Sequence, residues 1–409
     1  MCRTIFLAAC IAAGFAFTGA APAQELDGNQ FRAPSEGSWY HPIDPETWLH
    51  VGGRPQEIAA ALTRIKETAP SDTLPDDPSR RGAGSWIETW TELGKTALAE
   101  ADDLNDDDKP EAAASRYRDA FSYFLRASSP HTNDPEQRSA LALAWQAYEK
   151  AGQFLPVPIR KLDIPFDGEE FSTWLHLPKG DGPFPVVIVS MGSDVTKEEL
   201  LPYFIKQLAV RKIAMLSLDM PGNGSSTAYS FSPDLDKLHA AAALHLKTLP
   251  EIDGRNIFVQ GASFGGTPAA RAWAARPDLD LAGVIYMCGP LHRPFMAPPD
   301  AYSQFPAFTM DGVRARLGLD ISASFEEMSV GLRPLSLKSQ GLFEGPRIDT
   351  PLLAILTNRD PVAPLGDVQS LMARGSDVTL HVTDEPGHCP QRDPREAIAA
   401  SWIAGKIRD

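Results

Sequence analysis

The run Gly261-Ala-Ser-Phe-Gly265 most constrains how this chain can fold. An apolar run at 256–260 precedes it, and a segment of helical texture at 267–275 follows. Glycine-x-serine-x-glycine between a strand and a helix predicts a turn too tight for a Cβ at either flank. The serine backbone in such a turn is strained. Its hydroxyl, that of Ser263, stands above the sheet rim, where a base and a substrate can reach it. Alone, the motif arises often by chance and reads as well as a plain glycine-rich turn. The strand before it and the helix after it give it content.

A serine so placed needs a base and an acid to orient that base. Parallel sheets present their sites at the carboxyl ends of strands. When a nucleophile elbow belongs to such a sheet, the chain order is serine, then acid, then histidine. His292, His381 and His388 follow Ser263. His381 falls inside a strand-like run, and His292 comes ahead of any well-placed acid. His388, in Glu385-Pro-Gly-His-Cys-Pro390, lies in a loop after the last strand. For the acid, Asp360 directly follows the apolar run 352–356, whereas Asp367 falls on the next helix and Asp349 at the wrong end of the strand. Ser263, Asp360 and His388 are therefore the expected catalytic side chains. The expected oxyanion donors are the backbone amides of Phe264, next to the serine, and Ser193, in Met191-Gly-Ser193. Gly192 could otherwise merely end its strand.

The rest of the chain divides by texture. Residues 1–23 carry Arg3, an apolar run over 5–17 and the small-x-small site Ala21-Pro22-Ala23, the pattern of a signal peptide. Export to the periplasm or medium is expected, with no membrane span after its removal. Removal of Arg3 takes the net charge from −15 to −16. That acidity and the lack of a basic stripe exclude nucleic acid as a partner. Residues 24–54 show no period and read as an arm packed by Trp39, Tyr40 and Trp48. Four helices are predicted between 55 and 152, from apolar spacings such as Trp86, Trp90, Leu93 and Ala97. The acidic cluster at 102–108 lacks the glycine and terminal glutamate of a calcium loop and reads as a solvated helix end.

After Pro158 strands alternate with helices. Asp167-Gly168 predicts a hairpin between 159–164 and 171–177. Apolar runs at 185–190, 213–218, 256–260, 283–288, 351–357 and 378–382 predict strands, with helices at 198–210, 235–249, 267–275 and 366–374. The fold class expected is α/β, a mostly parallel sheet with helices on both faces. The 289–349 gap is long for a connection and reads as an inserted, lid-like element. Asp219-Met-Pro-Gly-Asn-Gly-Ser225 lacks the ending of a phosphate-binding loop. Thr196-Lys-Glu-Glu199 predicts a capping box. The scattered histidines suggest no metal site, and no cofactor is implied. Cys288 and Cys389 remain after signal removal. They could pair in an exported chain, but they fall at two different strand ends, which favours free thiols.

Over residues 156–409 these features resemble the α/β-hydrolase superfamily. Within it, the chain resembles the fermentation-respiration-switch (FrsA-like) and dihydroxypseudooxynicotine hydrolase group. The residues that carry this are Ile164-Pro-Phe-Asp-Gly-Glu169 with Leu175-His-Leu-Pro178, Gly192-Ser-Asp-Val-Thr-Lys-Glu-Glu199, and Arg116-Tyr-Arg-Asp-Ala-Phe-Ser-Tyr-Phe124. The resemblance implies an N-terminal helical cap within 24–155 over the site of a 156–409 core, often a homodimer, and no cofactor. Members cleave esters, or carbon–carbon bonds beside a ketone. They are mostly cytoplasmic, whereas this chain carries an export signal. The expected function is an exported serine hydrolase that cleaves a small or medium carboxylic ester through an acyl-enzyme. The alternatives are carbon–carbon hydrolysis beside a ketone and a non-catalytic binding protein on the same fold. The stretch Gly289-Pro-Leu-His-Arg293 offers no extra carboxylate to assist carbon–carbon cleavage, which favours the ester.

Overall fold

The computed structural model describes residues 39–132 and 134–408. The signal-peptide reading, the start of the arm, and Cys2 and Cys10 lie outside the described residues.

Among the described residues, eight strands form one sheet: β1 (Arg160–Phe166), β2 (Glu169–His176), β3 (Phe184–Ser190), β4 (Ala214–Ser217), β5 (Ile252–Ala262), β6 (Gly283–Met287), β7 (Leu352–Thr357) and β8 (Val378–Thr383). Their spatial order is β1-β2-β4-β3-β5-β6-β7-β8. The pairs β1/β2 and β2/β4 are antiparallel, and every later pair is parallel. The β1–β2 hairpin turns at Asp167-Gly168, both at positive φ, as the sequence predicts. The continuous apolar runs become strands buried along their whole length: β4, β6 and β7 expose no residue. Such strands need cover on both faces, which the helices between them supply.

The described N-terminal region, up to Gly152, is helical. It comprises α1 (Pro45–Val51), α2 (Pro55–Thr68), α3 (Trp86–Asp106), α4 (Pro110–Ser128) and α5 (Pro135–Gly152). Proline opens four of them at the first turn, where its missing N–H costs nothing. Helix α1 lies in the stretch read as an aperiodic arm; seven residues are too few to show a helical period. Its Trp48 packs edge-on against Trp86 and Trp90. The helical layer docks on the sheet through polar tips on aromatic bodies. The Tyr148 hydroxyl meets His176 Nε2 at 2.7 Å, and the Tyr148 ring packs on Trp174 of β2 with centroids 5.4 Å apart.

The helix expected at 198–210 is instead a mixed stretch over 197–211. A short α-helical turn, α6 (Leu201–Tyr203), sits between tighter and wider turns. Pro202 interrupts the ladder there. The capping box at Thr196 and Glu199 is present. The remaining helices are α7 (Lys237–Leu246), α8 (Gly266–Ala275), α9 (Ala307–Arg316), α10 (Phe325–Leu332), α11 (Leu365–Met372) and α12 (Arg392–Lys406). Helix α12 was not expected. Arg316, at the end of α9, is wholly buried. It donates to the carbonyls of Pro130 and His131 between α4 and α5, and to Asn223 Oδ1. One guanidinium thus ties the 289–349 segment to both the helical layer and the loop after β4.

Helix α12 also buries Glu396. Burial pushes its carboxyl up to about 7, against the opposing pull of Arg392, Arg395 and Lys206. A folded-state value raised above the ordinary 4.5 means stability that is present below about pH 4.5 and lost as pH rises through about 7. Glu396→Gln removes the buried charge. The variant should gain up to about 3 kcal/mol over the parent at pH 8, with most of that gain gone at pH 5. Urea denaturation at the two pH values measures this; an equal effect at both would show that Glu396 does not titrate on folding.

Candidate active site

Strand β5 ends at Ala262, and α8 begins four residues later at Gly266. Between them Ser263 holds φ at +53°, a left-handed value that a non-glycine residue adopts only under constraint. The two glycines are there for space. A Cβ on Gly261 would collide with the carbonyl of Gly265. One on Gly265 would stand 2.5 Å from the Met191 carbonyl oxygen and 2.8 Å from that of Ser190. Two strand ends therefore meet without side chains between them, and Ser263 is pushed outward.

Ser263 Oγ lies 2.8 Å from His388 Nε2. On the other side of the ring, Nδ1 lies 2.9 and 3.0 Å from the two carboxylate oxygens of Asp360. A carboxylate accepts only, so Nδ1 carries the proton and Nε2 is free to accept from the serine hydroxyl. The three side chains come from turns after β5, β7 and β8, at one end of the sheet. The structure thus brings together Ser263, Asp360 and His388. His381 lies within β8, and His292 bonds to Ser336.

Asp360 is buried, while His388 keeps about a third of its side chain exposed. Burial pushes the Asp360 carboxyl up. The hydrogen bond and charge of His388, then the amides of Cys389 and Val362, outweigh that and hold it below the usual carboxylate value. The amides of Val362 and Ala363 donate to Oδ1 at 2.8 and 3.1 Å, and that of Cys389 to Oδ2 at 2.9 Å. Among the described residues, no other carboxylate hydrogen-bonds to Ser263 or His388.

The two segments that carry the expected oxyanion donors lie beside the serine. Phe264 is the next residue, in the turn Ser263–Gly265. The Met191-Gly192-Ser193 loop follows β3, and a Cβ on Gly192 would lie 3.2 Å from Ser263 Oγ. The Ser193 amide has no hydrogen-bond partner among the described residues. Its hydroxyl donates to Asp194. The Asp219–Ser225 loop is structural: Asp219 accepts from Lys197 Nζ at 2.7 Å and from the Ser225 amide at 2.9 Å.

Two features escaped the sequence reading. The first is an aromatic wall. The Phe264 ring stacks on Phe231 with centroids 4.5 Å apart and leans on Phe295 at 5.7 Å. Phe231 and Phe295 belong to a separate apolar cluster that Phe264 packs against; most of its other members, Met310, Val313 and Leu332 among them, come from the 289–349 segment. Nothing in the spacing of Phe231 and Phe295 marks them as partners of Phe264. The second is a correction. Cys288 and Cys389 are not free thiols; they form a disulfide with Cα atoms 5.3 Å apart. The strand ends differ, as expected, but the loop after β8 folds back across the end of β7 to reach Asp360. That return brings Cys389 over the end of β6. Cys288, Asp360, His388 and Cys389 offer ligand atoms within 4.8 Å of one another, a clustering the scattered histidines did not suggest. The sulfurs are bonded to each other, and His388 and Asp360 are engaged in the serine relay. A second group, His50, Asp393 and Glu396, lies between α1 and α12. No helix among the described residues is long and apolar enough to cross a membrane.

A mostly parallel eight-stranded sheet with an elbow serine at its rim defines an α/β hydrolase. A family model described as Esterase FrsA-like matches residues 23–386, and the chain belongs to that family of esterases. The match stops two residues short of His388, so the placing of that side chain rests on the geometry above. Esterase FrsA of Vibrio cholerae serotype O1 is 31% identical over 342 residues, covering 83% of this chain and 81% of that protein. Esterase FrsA of Klebsiella pneumoniae (strain 342) is 30% identical over 347 residues, covering 84% and 82%. Among solved structures, the 2,6-dihydroxy-pseudo-oxynicotine hydrolase has a TM-score of 0.71 at 20% identity, covering 89% of this chain and 96% of that one. That likeness is one of fold.

The glycine reading is directly testable. Gly265→Ala should cost about 1–3 kcal/mol in urea denaturation, because two backbone carbonyls obstruct the new methyl. Gly405→Ala, near the end of α12 with nothing within 4 Å, should be neutral or stabilise by up to about 1 kcal/mol. Equal effects at both sites would refute the steric account of the elbow.

Proposed function

We propose that this protein is an exported serine hydrolase that cleaves a small or medium carboxylic ester through an acyl-enzyme. The single observation that carries the reading is the continuous line Ser263 Oγ, His388 Nε2, His388 Nδ1, Asp360, with every step at hydrogen-bond distance. Membership in an esterase family supports the reaction class. In this reading His388 takes the Ser263 proton as the oxygen attacks the ester carbonyl, and returns it to the departing alcohol. Asp360 keeps the ring in one tautomer and stabilises its cation. The developing oxyanion is held by the amides of Phe264 and Ser193, each worth roughly 2.7–4 kcal/mol in the transition state. Water then repeats the attack on the acyl-enzyme with the same proton carrier.

The aromatic wall of Phe264, Phe231 and Phe295 suits an apolar acyl or alcohol part. We assign the 289–349 segment the role of a lid and helices α1–α5 that of a cap, on two grounds. The segment packs on Phe264, and Arg316 joins it to the helical layer. An ester is favoured over a carbon–carbon bond because, among the described residues, no second carboxylate reaches the serine–histidine pair, and an alkoxide leaves far more readily than a carbanion. Export draws support from the disulfide, since such bonds persist in oxidising compartments.

Ser263→Ala should lower kcat/KM for p-nitrophenyl butyrate by about 10³-fold or more. A fluorophosphonate should add its mass to the parent and not to the variant. Unchanged turnover in Ser263→Ala would remove Ser263 as nucleophile. Cleavage of a β-diketone in place of esters would support the carbon–carbon reading, and failure of both turnover and labelling would leave a binding protein.

A further inference from the structure

His388 sits on a thin support. Between Asp384 and Pro390 no backbone-to-backbone hydrogen bond is made among the described residues. Gly387, just before the histidine, holds φ at +93° and has open space where a Cβ would be. The tethers of this loop are of another kind. At its ends, Asn358 Nδ2 donates to Asp384, the Gln391 amide to Glu385 at 2.9 Å and Arg395 to the Pro390 carbonyl at 2.8 Å; nearer the histidine, the Thr357 hydroxyl donates to the Gly387 carbonyl at 3.1 Å and the Cys389 amide to Asp360 Oδ2 at 2.9 Å. The one covalent tether described is the bond from Cys389 to Cys288.

The far end of that tether is firm. Cys288 is fully buried, and its amide donates to the Ile355 carbonyl on β7 at 3.0 Å. The next residue, Gly289, backs onto the elbow itself: a Cβ there would stand 2.7 Å from the Ser263 carbonyl oxygen. Near its other end, Cys389 Sγ lies 3.6 Å from His388 Nε2. Both half-cystines hold left-handed backbones, φ +48° at Cys288 and +65° at Cys389. Residues other than glycine keep such values only where their surroundings impose them. The disulfide thus connects the turn that carries the base to the turn that backs the nucleophile.

We propose that the Cys288–Cys389 disulfide is a positioning element for His388, so that the oxidised chain is the competent form and the reduced chain is impaired. The inference rests on the serine-hydrolase reading of the same site. Reduction by a dithiol breaks the Cys288–Cys389 bond. The dithiol gives up two electrons and closes to its own disulfide, and its two protons end on the two cysteine sulfurs. The base loop then keeps only hydrogen bonds. Since a base displaced by about an ångström loses on the order of a hundredfold in rate, turnover should suffer more than substrate binding.

The test compares the full chain before and after treatment with dithiothreitol, with thiol titration to show two new thiols and circular dichroism to show a retained fold. Reduction should lower kcat for p-nitrophenyl butyrate at least tenfold while KM stays within threefold, and oxidised glutathione should restore it. Cys288→Ala and Cys389→Ala should each match the reduced parent and ignore the dithiol. A second readout does not need turnover: the downfield proton resonance of His388 Nδ1–H, identified by its absence in His388→Ala, should weaken or vanish on reduction. Two new thiols with kcat and that resonance both unchanged would overturn the inference. So would a loss of activity that appears only with a loss of fold. Failure of the hydrolase reading looks different: the oxidised parent would neither turn over nor label, while the resonance would still report whether the disulfide holds the ring.

Discussion

The buried carboxylate of Asp360 is the interaction on which the site depends. A carboxylate with no exposed surface must have its lone pairs met, and here the donors are spread along the chain. Two amides come from its own turn after β7. The third amide and the imidazole come from the loop after β8. Satisfying one desolvated charge therefore folds the β8 loop back over β7. That same fold places Nε2 of His388 against Ser263. The electrostatic need of the acid and the placement of the base are one constraint.

Much of this was legible because it follows from local chemistry. The continuous apolar runs could only be strands covered on both faces, and β3, β6 and β7 appear within a residue or two of their expected bounds. Gly261 and Gly265 were readable as spatial needs, and the left-handed Ser263 shows why. Chain order then set aside His292, and a place inside a strand set aside His381, which left His388. What could not be read depends on how loops travel between elements. Cys288 and Cys389 do belong to different strand ends; no periodicity says that the second loop crosses the strand between them. Phe231 and Phe295 meet Phe264 only after two long connections fold over the rim. Helix α1 is too short to show a period. The 197–211 stretch has helical spacing, but Pro202 divides it into unlike turns.

The helical layer and the 289–349 segment face the same economy of polar groups. Arg316 carries a charge into a site with no exposure, where it donates to backbone carbonyls and an amide oxygen rather than to a carboxylate. Those acceptors belong to segments far apart in sequence. Their mutual placement is set by a planar donor whose geometry tolerates little change. Tyr40 adds a second link of this kind, donating to Asp311 on α9 at 2.7 Å. Hydrogen bonds of this directionality fix how the segment meets the helical layer, where apolar contact alone would allow it to slide.

The elbow and the base loop are fixed by different means, and the difference has a physical origin. The elbow is held by close backbone packing, with glycines admitting neighbouring carbonyls and a strand and a helix on either side. The base loop has no such neighbours, since it lies at the rim where the edge strand β8 ends. It cannot be clamped by packing without covering the serine. A covalent bond beneath the ring adds rigidity without occupying the open side. It also constrains the unfolded chain: by the loop-length estimate, a bridge across 101 residues contributes about 4–5 kcal/mol. A chain exported to an oxidising compartment could rely on that bond, whereas one held among cytosolic thiols would have to secure the same loop by packing and hydrogen bonds alone.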